Sequence, residues 1–441
     1  MGKPQISILG AGLSGLSAAY HLREKGYKTV LYEKEAQPGG LCRSENIDGF
    51  IFDHGIHISF TKDEYIRNLF AQSVNDQFEE HRALSLNYFQ GHWIKHPAQN
   101  NLYGLPISIV KDCLVDFIKA KYEYNFPVRN YRDWCHLAFG KAFCAYFTHK
   151  YTRKFWSVEP EELTTDWVGE RLYKPNIEEV IEGALKGEAV NRYYINSFRY
   201  PVSGGFQSFL KVFLQGQNLK LGYNLKELDL KNKVMAFKNG TKEHYEILIS
   251  TIPLPELIGI MKDVPEEVKQ TTGKLKWTSL FMINIAVCRK LTGQHYWNYY
   301  YDEQIPFSRV FFMSRFAKNN APLGYETLQI EIPYSQAKPL KMSREDIIEV
   351  VLNKLRGTGD LLPGDNVRIL STMNIDYGYV IFDFERERNL AIIHQYLRDN
   401  GVFYCGRFGE WDYLWTDQTV LSGKRVASEL SNMFQEGKKD E

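Results

Sequence analysis

Ile8-Leu9-Gly10-Ala11-Gly12-Leu13-Ser14-Gly15-Leu16-Ser17-Ala18-Ala19 is the stretch that decides the fold, and it lies almost at the start of the chain. Residues 6 to 9 read as a strand that runs into a glycine turn. The turn leads into a helix with Leu13, Leu16, Ala19 and Leu22 on its inward side. Gly12 lets the backbone approach a pyrophosphate, whose charge is held by the free N–H groups of the helix. Gly15 lets that helix lie close to the strand. A second apolar segment, Thr29-Val30-Leu31-Tyr32, ends in Glu33, eighteen residues beyond Gly15, where a carboxylate accepts hydrogen bonds from ribose hydroxyls. Strand, glycine turn, helix and terminal acid together predict a dinucleotide site.

The residues that follow distinguish between dinucleotides. Glu33-Lys34-Glu35-Ala36-Gln37-Pro38-Gly39-Gly40-Leu41-Cys42-Arg43-Ser44 adds a second glycine pair for close backbone approach, and then Arg43 as a fork of donors. This extension resembles the glutathione-reductase-type fold shared by amine oxidases, protoporphyrinogen oxidase and UDP-galactopyranose mutase. The resemblance implies FAD rather than NAD. It also implies that Gly10, Gly12, Leu13, Ser14, Gly15, Glu33, Lys34, Gly40, Leu41 and Arg43 line the cofactor, joined from the far end of the chain by Gly406, Arg407, Gln418 and Thr419.

Bulk properties set limits. The 441 residues suffice for two or three domains with substantial cores. The 54 Lys and Arg nearly cancel the 53 Asp and Glu, so no global field attracts nucleic acid or acidic membranes. An anionic substrate must then be held by a few local arginines. The first strand begins too early for a signal peptide, and no run approaches eighteen apolar residues, so neither secretion nor membrane insertion is expected. Six cysteines (42, 113, 135, 144, 288 and 405) lie far apart without a CxxC pair. That spacing argues against a zinc site or a disulfide framework and points to a reducing cytoplasm.

The chain does not divide into consecutive blocks. The expected architecture is α/β: a Rossmann-type FAD domain assembled from residues 1–75, 200–255 and 395–441. A helical insert spans 105–195, where apolar residues recur at helical spacing. An antiparallel β-sheet substrate domain takes 76–104 and 256–394, where segments such as WTSLFMINIAV alternate or run apolar. The cleft between these parts is the expected substrate site.

Read one by one, the remaining polar clusters have ordinary explanations. His57, in Asp53-His54-Gly55-Ile56-His57, lies either beside the flavin or in a structural turn. Taken together, the islands HPAQNNLYGLP, FWSVEPEELTTDWVGERLYKPN, NSFRYPVSGG, ISTIPLPEL, WNYYYDEQIPFSR, DYGYVIFDFERE and GRFGEWDYLWTDQ follow the order and rough spacing of UDP-galactopyranose mutase, its eukaryotic-type branch above all. The resemblance implies that Arg171 and Arg309 grip the diphosphate of a nucleotide sugar, assisted by Tyr299, Tyr379 and Tyr413. It puts Gln99 and Asn101 in a uridine-recognition turn. Trp167 and Asn196 fall on the substrate side, Arg407 near sugar and flavin, and His57 beside the flavin. Guanidinium forks suit phosphate oxygens and stay charged, which agrees with that role.

The implied chemistry has no net redox. Reduced flavin, supplied by a donor such as NAD(P)H, attacks the anomeric carbon through N5. The nucleoside diphosphate leaves, the sugar ring opens and recloses, and the diphosphate returns. The expected substrate is UDP-galactopyranose or a closely related nucleotide sugar, as in cell-surface polysaccharide biosynthesis. Two departures stand out. Asp417 occupies a position where the eukaryotic-type branch has asparagine, and Ile56 replaces a glycine before the histidine. The FAD segments alone fit a second reading equally well: a net oxidoreductase of the amine oxidase or protoporphyrinogen oxidase kind.

Overall fold

A computed structural model describes residues 3–187 and 195–436. Gln5–Leu9 forms the central strand of a five-stranded parallel sheet. Lys28–Glu33 and then Asn218–Leu221 lie on one side of it, Ile247–Ser250 and Val402–Tyr404 on the other. The strand order therefore reverses at the first strand. In an open parallel sheet, the crevice beyond the carboxyl ends at such a reversal is where a ligand sits. The helix Leu13–Glu24 starts at that crevice, and Leu16, Ala18, Ala19 and Leu22 are wholly buried beneath the long helix Thr416–Glu436 and against the sheet. Burying each such leucine contributes about 1.5–3 kcal/mol.

A seven-stranded sheet forms the second layer system. Its order is Val367–Val380, Trp277–Val287, Glu326–Tyr334, Arg309–Phe311, Trp297–Tyr300, Ser85–Phe89 and His92–Lys95. Neighbours run antiparallel except Trp297–Tyr300 with Ser85–Phe89, which pair in parallel because the chain reaches them by a long crossover. The strand Trp277–Val287 is buried along nearly its whole length, which explains why its sequence is a continuous apolar run.

A group of helices fills residues 107 to 185: Ile107–Tyr122, Tyr131–Phe139, a run from Lys141 to Phe155, and Ile177–Leu185. Asn176 and Glu179 form a reciprocal capping box that starts the last of these. Gly183 packs against the Asn100 carbonyl, so a Cβ there would stand 1.8 Å from that oxygen. The last helix spans Thr416–Glu436. After Gly204-Gly205 the chain forms a 3-10 turn, Phe206–Leu210, and then one α turn, Lys211–Leu214. Among the described residues, no helix is long and apolar enough to cross a membrane. All six cysteines are free thiols.

Candidate functional site

The crevice at the strand reversal opens into a cavity of about 760 Å³. Two glycine turns form its floor. Gly12 and Gly39 pair as an isolated bridge, Gly39 donates to the Ala11 carbonyl at 2.8 Å, and a Cβ on Gly40 would meet the Gly12 Cα at 3.0 Å. Gly15 lies so close to the strand that a Cβ would stand 2.1 Å from the Gly10 carbonyl oxygen. The helix Leu13–Glu24 has no side-chain cap, so its first N–H groups are left for a ligand. Glu33 is buried, and its carboxylate accepts from the Ala11 N–H at 2.8 Å and the Glu35 N–H at 3.0 Å. Those two bonds fix its direction at the end of its strand.

Arg43 sits across the cavity, ion-paired to Glu35 at 3.5 Å, with Nε buried and unpartnered. An orphaned guanidinium donor beside a helix N-terminus and a glycine cradle suits a pyrophosphate. Of the expected cofactor residues, Gly10, Gly12, Leu13, Ser14, Glu33, Lys34, Gly40, Leu41, Arg43, His57, Arg407 and Thr419 border this cavity. Gly15, Gly406 and Gln418 act one layer back. Gly406, at φ 82°, packs on the Ser14 side chain, and Gln418 accepts from the Trp415 N–H at 2.8 Å.

Leu41, His54, His57, Ile375, Arg407 and Thr416 also border a smaller chamber of about 130 Å³. Tyr299, Arg309, Tyr379 and Tyr413 converge there, brought in by three strands and the turn before the last helix. Arg309 is a bidentate partner of Glu331: Nε donates to Oε1 at 2.9 Å and Nη2 to Oε2 at 2.6 Å. Nη2 also donates to the Tyr379 hydroxyl at 2.6 Å. Burial works against the Arg309 charge, but the Glu331 carboxylate overrides it and holds the group above its ordinary pKa. Arg407 donates to the Leu414 and Gly378 carbonyls. Arg171 stacks between the rings of Tyr413 and Trp415, at 4.6 and 4.5 Å, with its Nη atoms on the Trp167 and Tyr413 carbonyls and its Nε buried and unpartnered.

Burial raises the pKa of Tyr379 and of Tyr413, so both phenols keep their protons and act as donors. Burial, with Arg407 adding to it, lowers His57 to about 4. The imidazole is neutral, with Nδ1 donating to the Gly55 carbonyl at 3.0 Å. Ile56 borders the same chamber.

A third cavity, about 920 Å³, shares Phe60 and Trp415 with the chamber and is bordered by Tyr173, Lys174, Asn196 and Asp417. Phe60 and Trp415 meet edge to face at 5.0 Å between chamber and groove. Gln99 reaches this groove's edge by donating to the Tyr173 carbonyl at 3.3 Å. Asn101, Trp167 and Arg171, the last expected on the diphosphate, border none of the three cavities. Asn101 is buried and donates to the Pro97 carbonyl, and Trp167 packs between Tyr131 and Trp156, each 4.9 Å away. In this arrangement Asn101 and Trp167 serve packing, and Arg171 is held behind the chamber.

Sequence reading missed Glu331, because an acid in an apolar strand carries no local signal of an arginine 22 residues before it. It also missed Phe60, whereas Trp415 lay in a quoted island without a role of its own. Thr251 and Pro253, which border the cofactor cavity, did lie in a quoted island.

Comparison with known proteins agrees with this geometry. The NAD(P)-binding Rossmann-like domain family matches residues 8–73. An uncharacterized protein from the nifH2 3′ region of Methanothermococcus thermolithotrophicus is 47% identical over 53 residues, which is 12% of this chain. Mitochondrial protoporphyrinogen oxidase of Nicotiana tabacum is 43% identical over 118 residues, 27% of this chain. The chain spans 51% of the length of the first of these relatives and 21% of the second. The crystal structure of a reduced UDP-galactopyranose mutase superposes with a TM-score of 0.91 at 27% identity, covering 98% of this chain and 96% of that one. Whole-chain structural likeness, the matched nucleotide-binding domain and the double glycine cradle lead to one conclusion. The chain shares the fold of UDP-galactopyranose mutase over its whole length, part of its sequence is similar to that of protoporphyrinogen oxidase, and its cofactor is FAD.

Proposed function

We propose that this protein is a flavin-dependent nucleotide-sugar mutase that interconverts UDP-galactopyranose and UDP-galactofuranose, or a close variant of that pair. One observation carries the reading: Arg309, Arg407, Tyr299, Tyr379 and Tyr413 converge in a chamber that continues the FAD cavity. A neutral or cationic substrate has no use for that concentration of cations and phenol donors. When bound and reduced, FAD supplies the nucleophile for the anomeric carbon.

The protein's own residues hold the rest in place. The Arg309 guanidinium, aligned by Glu331, offers a charge-assisted donor to the diphosphate while it is detached from the sugar. Arg171, with its Nη atoms on the Trp167 and Tyr413 carbonyls and its plane against two rings, holds Tyr413 and Trp415 in place behind the chamber. The protonated Tyr379 and Tyr413 add hydroxyl donors. Retaining the leaving group and excluding water are catalysis by positioning and electrostatics. Neutral His57, its one N–H held by the Gly55 carbonyl, can accept a hydrogen bond at Nε2 near the flavin without adding charge. The outer groove, with Gln99 at its edge and Asn196 and Asp417 on its border, is the proposed seat of the nucleoside. A donor such as NAD(P)H is proposed to reduce the flavin.

The test is chromatography of UDP-sugar mixtures incubated with the chemically reduced, FAD-loaded protein. Interconversion without acceptor consumption supports the reading. No interconversion of any nucleotide sugar, together with steady oxygen or acceptor consumption on a small substrate, replaces it with a net oxidoreductase.

A further inference from the structure

Away from the flavin, one group of side chains has no part in the proposed reaction: His136, Cys144 and His149. One ring nitrogen of each histidine and the cysteine sulfur lie within 4.8 Å of one another, and the two imidazole rings are 5.1 Å apart at 46°. Their sequence spacing matches no zinc motif, so the cysteine pattern alone argues against a metal. The fold overrides that pattern.

His136 lies in the helix Tyr131–Phe139, and the chain turns at Gly140 into the helical run that carries the other two. Within that run Cys144–Thr148 is π-helical. In an α-helix a residue five positions on lies about 140° around the axis. A π turn closes from i to i+5 instead, so Cys144 and His149 share a face, and that face looks at His136.

The surroundings suit a cation. Nε2 of His149 is buried with no hydrogen-bond partner. Glu161, which acts electrostatically on His149, has Oε1 held by Arg132 at 2.6 Å while its Oε2 is buried and unpartnered. Cys144 is fully buried, and the two histidines are half-buried and give a path from solvent.

We propose that His136, Cys144 and His149 bind one zinc ion. Two imidazoles and one thiolate are borderline donors that suit zinc, and three protein ligands leave a fourth position for water. On binding, the Cys144 thiol releases its proton to solvent. The thiolate and the Glu161 carboxylate then offset the dication. Zinc would clamp the helix Tyr131–Phe139 to the run ending at Phe155. That run carries Tyr151, 5.8 Å from the Tyr299 ring, and Phe155, 4.5 Å from the Tyr379 ring, so the clamp fixes one wall of the substrate chamber.

The experiment uses the FAD-loaded full chain, stripped with a chelator and then dialysed against zinc chloride. Mass spectrometry should find one zinc per chain, and zinc-edge X-ray absorption should show one sulfur at about 2.3 Å with two nitrogens at about 2.0 Å. Cys144→Ser and His136→Gln should each weaken zinc binding by more than about tenfold, with unchanged FAD content reporting an intact fold. Cys288→Ser, at an exposed position outside the cluster, should leave zinc binding as it is. A chain that retains no zinc, an absorption shell without sulfur, or a Cys144→Ser protein that binds zinc as the parent does would overturn the site. If Cys144→Ser fails to fold, the His136→Gln protein and the absorption shell of the parent decide.

Discussion

Replacing Arg309 by alanine removes one half of a buried ion pair and leaves the other half in place. The Glu331 side chain is 1% exposed, and among the described residues its Oε2 is met by Arg309 and, at 3.5 Å, the Tyr379 hydroxyl. Breaking such a pair by deleting one partner costs about 3–5 kcal/mol, because the remaining charge is stranded or must take up a proton. At about 2.1 cal/mol/K of unfolding entropy per residue, a 441-residue chain loses roughly 3–5 °C in melting temperature for that cost. Arg309→Ala is therefore expected to melt several degrees early, and the double variant Arg309→Ala/Glu331→Gln to recover most of the loss, since no charge is stranded.

Nucleotide binding should behave differently. Each charge-assisted contact to a diphosphate is worth about 1.5–3 kcal/mol, so UDP should bind about ten- to a hundredfold more weakly in both variants. The assay pairs thermal melts of the FAD-loaded proteins with titration by UDP, followed through the flavin absorbance. If the double variant recovers both stability and UDP affinity, Arg309 has only a structural role and the clamp is wrong. If Arg309→Ala melts with the parent, the stranded-charge argument fails.

Two glycines of one motif should fail in different ways. Gly12 has an ordinary φ of −72°, and a Cβ there meets only the Gly40 Cα at 3.7 Å, so Gly12→Val should fold yet emerge colourless; a yellow, flavin-replete protein contradicts the cofactor's position. Gly15→Val drives a Cβ into the Gly10 carbonyl, so soluble folded protein should be lost, as circular dichroism would report. Gly183→Ala should overpack the 98–101 turn at a cost of about 1–3 kcal/mol and weaken UDP binding without releasing FAD; unchanged UDP affinity argues that the turn does not serve the nucleoside. Acid should destabilise the protein through its buried histidines. The folded pKa of His57 is lowered from 6.5 to about 4, so the native state binds fewer protons, and this stability is full above pH 6.5 and lost as pH falls toward 4, by up to about 3 kcal/mol. Asp53 opposes it, because burial raises its pKa to about 6 from 3.8 and stability is gained as pH falls through that range. His57→Gln should flatten the melting-temperature slope between pH 6.5 and 4, and an unchanged slope would refute the assignment.

How much of this was legible in the chain differs by element. Gly10, Gly12, Gly15 and Glu33 announced both a strand–turn–helix unit and its ligand, because strand, turn and helix are dictated by residues within a few positions of each other. The same holds for the continuous apolar strand Trp277–Val287. Gln99 and Asn101, two residues apart, were read alike, yet one reaches the groove's edge and the other is turned inward onto Pro97. Trp167 likewise could not be separated from packing until its neighbours Tyr131 and Trp156 were in view.

By itself, then, the sequence determined the cofactor cradle, whose chemistry is local backbone geometry, and the kinds of side chain available for an anionic substrate. Only the tertiary structure decided which of those side chains meet. Glu331 reaches Arg309 across a strand pair, Arg171 is fixed by rings more than two hundred residues away, and one π turn carries Cys144 onto the face of His149. Such meetings depend on strand register and helical phase, where a shift of one residue turns a side chain to another face, and no run of neighbouring letters records the result.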